Sequence, residues 1–119
     1  MKDEYKEFSH NLMVYMEYNG ITKTELSKKV GVAPSTVTGW IQGERYPRLG
    51  VMLKLLALFD CTQDDLMSGY KSSEQIRQDH TAKRLLAYYE RLNPDGVQKV
   101  LEYMEDLNGK YYKENEDVQ

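Results

Sequence analysis

The stretch GVAPSTVTGWIQGERYP, residues 31–47, sets a proline beside a Ser/Thr cluster and a lone tryptophan between two glycines, Gly31 and Gly43. The chain around it otherwise reads as helical. Pro34 fits this setting as the first residue of a helix, where its missing N–H costs nothing and its fixed φ suits the first turn. A helix is therefore predicted from Pro34 to about Gln42, stopping at Gly43. Val37, Trp40 and Ile41 fall at i, i+3 and i+4 and form its inner face. The opposite face offers Ser35, Thr36, Thr38, Gly39 and Gln42, all small or amide and none charged. A solvated face normally carries Lys and Glu. This one suits close approach to a partner and hydrogen bonding with it.

Upstream, Phe8, Leu12, Tyr15 and Met16 recur at helical spacing and stop at Asn19-Gly20. Thr22 then precedes KTELSKKV. Thr22 and Glu25 have the spacing of a capping box, in which hydroxyl and carboxylate each satisfy an orphan backbone N–H. Leu26 and Val30 give this short helix its inner face, and Gly31 takes the left-handed position at its end. Two short helices joined by a glycine turn make a helix-turn-helix. The second helix of that unit enters the DNA major groove, with its N-terminal residues at base edges.

The segment ITKTELSKKVGVAPSTVTGWIQGERYPRLGVMLKLLALFDCTQDDLM resembles the DNA-binding domain of the XRE family, the Cro/cI-type repressors. The matching positions are Ile21, Leu26, the small Ser27, Gly31-Val32, Val37, Trp40, Gly43 and Pro47, followed by LKLLALFD and T-x-x-D-L helices. The resemblance covers roughly residues 5–70 and five predicted helices. It implies an all-α, five-helix lambda-repressor-like domain that binds a double-stranded DNA operator. On that reading Ser35, Thr36, Thr38, Gly39 and Gln42 face base edges, and Lys23, Lys28, Arg45, Tyr46 and Arg48 hold phosphates. Two positions depart from the family. Lys23 stands where Gln is usual, and Ala33, a poor N-cap, stands where Ser is usual.

Charge weighs against DNA binding at first sight. The chain of 119 residues has a net charge of −3 and 29% charged residues, and its isoelectric point is near 5.4. The distribution answers this. Residues 22–48 hold Lys23, Lys28, Lys29, Arg45 and Arg48 against Glu25 and Glu44, a local net +3. A local basic patch is what phosphate contact requires. A hydrophobic content of 40% suffices for a small core, and the single cysteine, Cys61, excludes an internal disulfide framework. No apolar run is long enough for a membrane span, and the charged start argues against a signal peptide. A cytoplasmic setting is expected.

Beyond the resembling segment, Val51, Leu55, Leu58 and Phe59 form the inner stripe of a fourth helix. Thr62 with Asp65 repeats the capping signature. Residues 1–70 thus read as the DNA-binding domain and 71–79 as a linker, small and polar without periodicity. Residues 80–119 read as C-terminal helices. TAKRLLAYYERL carries Leu85, Leu86, Tyr89 and Leu92. Asn93 caps a last helix with Pro94 at its first position and the stripe Val97, Val100, Leu101, Met104 and Leu107. The tail from residue 110 is expected to fray. Such a pair is too small to bury both stripes, so Leu85, Tyr89, Val97, Val100, Leu101, Met104 and Leu107 are expected to form a homodimer interface. The same region resembles the dimerising tail of phage and Gram-positive-type repressors.

Trp40 is expected in the core rather than stacked on a base, and Cys61 as an inert core thiol. His10 and His80 are far apart, and no cluster implies a metal or an organic cofactor. The sequence shows no nucleophile–base pair, phosphate loop or paired carboxylates, so an enzyme is not expected. The expected function is a sequence-specific transcriptional repressor that binds an inverted-repeat operator as a dimer. The alternative is an antitoxin-type or adaptor protein that uses the same fold to bind a protein. A toxin or an antirepressor would then be a further partner.

Overall fold

Capping chemistry sets where the helices begin. The computed structural model describes residues 3–113, and all of the regular structure among them is helical. The order is α1 (Asp3–Asn19), α2 (Lys23–Val30), α3 (Pro34–Ile41), α4 (Leu49–Phe59), α5 (Gln63–Met67), α6 (Ser73–Glu90) and α7 (Pro94–Asp106). Thr22 and Glu25 close the expected box on α2, and Thr62 and Asp65 close the one on α5. Asn93 caps α7 by accepting from the Gly96 N–H at 2.8 Å. Gly31 ends α2 with φ +75°, where a side chain would be strained.

The chain divides into two units, the first ending at Asp79 and the second beginning at His80. The first unit has a closed core. Phe8, Leu12, Tyr15 and Met16 of α1 are buried with Leu26, Val30, Val37, Trp40, Leu55, Phe59 and Leu66. The α4 stripe differs from the expected one by a small rotation. Met52 is buried, whereas Val51 and Leu58 are only partly covered. Cys61 is half-buried rather than enclosed. Burial, then the neighbouring Cys61 and Asp65, push the Tyr15 hydroxyl well above its ordinary value.

Residues 71–79 are not a linker. Ser72 and Gln75 form a third capping box: the Ser72 N–H donates to Gln75 Oε1 at 2.8 Å, and the Gln75 N–H donates to Ser72 Oγ at 3.2 Å. α6 starts there, and Ile76 is fully buried in the core of the first unit. One buried isoleucine outweighs the polarity of its neighbours, and the domain expected to end at Tyr70 extends to Asp79.

Asn11 fixes the turn between α5 and α6. Its amide donates to the carbonyls of Leu66 at 3.0 Å and Gly69 at 2.8 Å, and its Oδ1 accepts from the Lys71 N–H at 2.7 Å. A fully buried amide with every bond made is a rigid joint. Glu7 accepts from the Gly69 N–H at 3.0 Å, and His10 pairs with the Lys71 carbonyl at 2.8 Å.

The second unit is built differently. None of its described residues is buried. Leu85, Tyr89, Val97, Val100, Leu101 and Met104 line an apolar groove of about 220 Å³. Leu107 lies at the C-cap of α7 and is partly covered. Of the tail expected to fray, Lys110–Tyr112 folds back instead. The Tyr111 N–H donates to the Asn108 carbonyl at 2.9 Å, and the Tyr112 hydroxyl donates to the Met104 carbonyl. The remainder, residues 114–119, lies outside the described residues.

Asp65 joins the α5 cap to the turn between α5 and α6, through the Thr62 N–H at 2.9 Å and Lys71 Nζ at 3.4 Å. Burial opposes its ionisation, but the Thr62 backbone and side chain with Lys71 outweigh it, and the carboxyl sits below its ordinary value. A carboxyl with a depressed folded-state pKa stabilises fully above its unfolded pKa and loses that contribution as pH falls through the folded one. Asp65→Asn is therefore expected to cost about 1 kcal/mol at neutral pH. It should also flatten the acid limb of the stability curve, as read by urea unfolding at several pH values. An unchanged acid limb would remove Asp65 from the account.

Candidate nucleic-acid interface

α3 is seated from beneath. Trp40 is buried at 1% exposure and meets the Phe8 ring edge-on, with centroids 6.4 Å apart. Ser9 Oγ donates to the Trp40 carbonyl. Val37 is fully buried beside it. Ala33 gives no side-chain cap, and Pro34 occupies the first turn. The C-terminal end is closed by a Schellman motif. The Gly43 N–H donates to the Trp40 carbonyl at 3.1 Å and the Glu44 N–H to the Gly39 carbonyl at 2.9 Å, with Gly43 at φ +74°. The Arg45 N–H reaches the same Gly39 carbonyl at 3.2 Å.

The outer face carries Ser35 and Gln42 exposed, with Thr38 between them half-exposed. The Thr38 hydroxyl donates back to the Pro34 carbonyl at 3.2 Å. Its donor is thus engaged, which leaves its methyl group and oxygen lone pairs for a partner. Thr36 lies to one side. It lines a concavity of about 510 Å³ with Val32, Trp40, Arg45, Tyr46, Pro47, Arg48 and Val51.

Gly39 does not present open backbone. It is buried, and a Cβ built there would lie 2.7 Å from Arg45 Cδ and 3.0 Å from Arg45 Cγ. The close approach expected of a ligand at Gly39 is made by the Arg45 side chain of the same molecule. The missing Cβ serves that packing.

Lys23, Lys28, Arg45 and Arg48 are all exposed. Lys28 and Lys29 lie in the last turn of α2, and Arg48 stands at the N-cap of α4. Glu25, the acid nearest these lysines in sequence, is tied into its capping box. The Thr22 backbone bond, then the Thr22 side chain, hold its carboxyl below the ordinary value. Tyr46 is mainly a packing group. It stacks on Tyr5 at 5.6 Å and meets Phe8 edge-on at 5.6 Å, and its hydroxyl accepts from Gln63 Nε2 at 3.4 Å. The ring assigned to a phosphate thus packs against the core, and it also lines the concavity.

Ser9 escaped the sequence reading, although it holds α3 through the Trp40 carbonyl. The available signal was its position at i−3 and i−7 from the core residues Leu12 and Met16. A small polar residue in an apolar stripe implies a buried hydrogen bond. Among the described residues, no group of three His, Cys, Asp or Glu is placed to hold a metal ion, and no helix is long and apolar enough to cross a membrane.

The sequence model of the Cro/C1-type HTH DNA-binding domain matches residues 11–71, just over half of the chain. The solution structure of the SOS-response transcriptional repressor LexA from Eubacterium rectale is similar at 31% identity, with a TM-score of 0.56. The similarity covers 59% of this chain and 74% of that one. No curated protein matches the sequence. The matched range takes in α2 and α3, the turn between them and the lysines and arginines on either side in the sequence; the chain belongs to the Cro/C1-type helix-turn-helix DNA-binding family.

Proposed function

We propose that the protein is a sequence-specific transcriptional repressor that binds an inverted-repeat operator as a homodimer. The observation that carries this reading is the outer face of α3. It has no charged side chain of its own, its inner face is fixed by Trp40 and Val37, and cations stand on either side. Charge-free polar groups on a rigid helix can distinguish base edges, because a misplaced partner leaves a desolvated group unpaired. The Thr38 methyl suits a thymine methyl, and Gln42 suits adenine. The flanking lysines and arginines contribute affinity that is indifferent to sequence. The similar structure is that of a transcriptional repressor, which supports the sign of regulation.

Dimerisation rests on the second unit. Val97, Val100, Leu101 and Met104 recur at i, i+3, i+4 and i+7 of α7, and Leu101 and Met104 are each 49% exposed. A unit with no buried residue among those described gains little from packing and needs a further surface. A second copy supplies one with the symmetry that paired half-sites about 34 Å apart demand. Linking two weak half-site contacts makes the second effectively intramolecular.

Selection of bound sites from a random DNA pool provides the operator for two tests. Thr38→Ala and Gln42→Ala should each cost about 1–3 kcal/mol on the selected site with the fold intact. Lys28→Ala should instead weaken binding to all duplexes and reduce the salt slope by roughly one unit. Wild-type binding by both α3 variants would overturn the recognition-face assignment.

Leu101→Asp in the full chain should give monomers by light scattering. It should abolish cooperative occupancy of the full operator while half-site binding survives, since an unpaired charge in the groove opposes association. A dimer that persists at micromolar concentration would move the interface elsewhere.

A further inference from the structure

A long cationic side chain from outside α3, that of Arg45, lies on the helix's outer face. Ser35, Gly39 and Gln42 form one surface row, four and three residues apart. The stem of Arg45 crosses the middle of this row, close enough that a Cβ at Gly39 would meet its Cδ, Cγ and Nε at 2.7, 3.0 and 3.2 Å. Its backbone is fixed as well. The Gly39 carbonyl accepts from the N–H groups of both Glu44 and Arg45, so the turn after α3 is pinned to the residue that the stem covers. No phosphate clamp at the edge of the interface needs such a seat. A lysine binds phosphate there as a flexible point charge and arginine does so through its fork, so it is the seat, and not the charge, that sets Arg45 apart.

We propose that Arg45 is a specificity-determining residue, which reads a guanine edge alongside Ser35 and Gln42, and that Gly39 is the notch which holds it on that face. The inference rests on the DNA-binding reading above and departs from the phosphate role expected for Arg45. A surface that meets Ser35 and Gln42 together must meet the Arg45 stem between them. The planar guanidinium then has the fork of donors that matches guanine O6 and N7. A base contact of this kind requires a fixed approach, which the paired Gly39 bonds and the notch supply.

The experiment measures binding of the full chain to the selected operator, to versions with single base-pair changes, and to unrelated duplex, at several salt concentrations. Arg45→Ala and Arg45→Lys should both lose about ten- to a hundredfold discrimination at one G·C pair, although lysine keeps the charge. Gly39→Ala should lose discrimination at the same pair by displacing the stem. Its thermal stability should hold or rise, since Ala is the better helix former. On the Arg45→Ala background, Gly39→Ala should cost nothing more.

Three results would overturn the proposal. Arg45→Ala could weaken all duplexes alike and reduce the salt slope by about one unit, which is the signature of a phosphate contact. Arg45→Lys could bind like wild type. Gly39→Ala could still cost its full effect without Arg45, which would mean that the new methyl meets DNA directly. Should the wild-type chain select no site at all, the DNA-binding reading itself would fail, and that outcome is distinct from the other three.

Discussion

The seating of Trp40 is the constraint on which the interface depends. A helix of eight residues has little stability of its own. α3 also lacks a capping side chain at its start and carries a glycine within it, both of which weaken it further. What holds it is burial from below. The indole lies against Phe8, its carbonyl accepts from Ser9, and Val37 fills the space alongside. Because the inner face does the stabilising, the outer face can dispense with charge pairs and helix-forming residues. Its chemistry can then be chosen for a partner instead of for the fold.

The same economy explains how an acidic chain presents a basic surface. Glu25 lies among the lysines of α2 but is bound to Thr22, which favours its ionised form for structural reasons. Asp65 has a like role at α5, with Lys71 as an added partner. Each carboxylate secures the start of a helix, where the orphan N–H groups and the helix dipole favour negative charge. The cations at Lys23, Lys28, Arg45 and Arg48 remain exposed. Net charge therefore says little about this surface.

Most of the fold was legible because its signals are local. Caps at Thr22, Thr62 and Asn93, the left-handed Gly31 and the proline at the start of α3 each act over a few residues. Their geometry follows from the sequence alone. The errors came where distant residues decide the outcome. Ser72 and Gln75 do spell a capping box, but the polar run around them concealed it. Ile76 becomes a core residue only when α1 and its neighbours supply the core. At the interface, the small polar face of α3 could be read from spacing. The occupation of Gly39 by Arg45 could not, because it depends on a Schellman turn folding the chain back across its own helix. Ser9 and Asn11 were missed for a related reason, since a buried polar residue is recognised by partners that lie far along the chain.

The two units place their apolar surface in opposite ways, and this asymmetry bears on function. In the first, leucines, aromatics and methionines close around Trp40, and Asn11 locks the turn that ends it. In the second, a strongly periodic helix leaves its stripe open, and Leu85 and Tyr89 face the same groove at more than half exposure. A sequence under no demand for association would replace such residues with charge, since exposed apolar rows promote aggregation. In the proposed dimer, the hydrophobic gain withheld from the isolated chain becomes available on assembly. On that proposal, folding of the first unit and pairing of two copies draw on separate surfaces. Affinity for the proposed operator would then be set by changes in α7 without disturbing the outer row of α3.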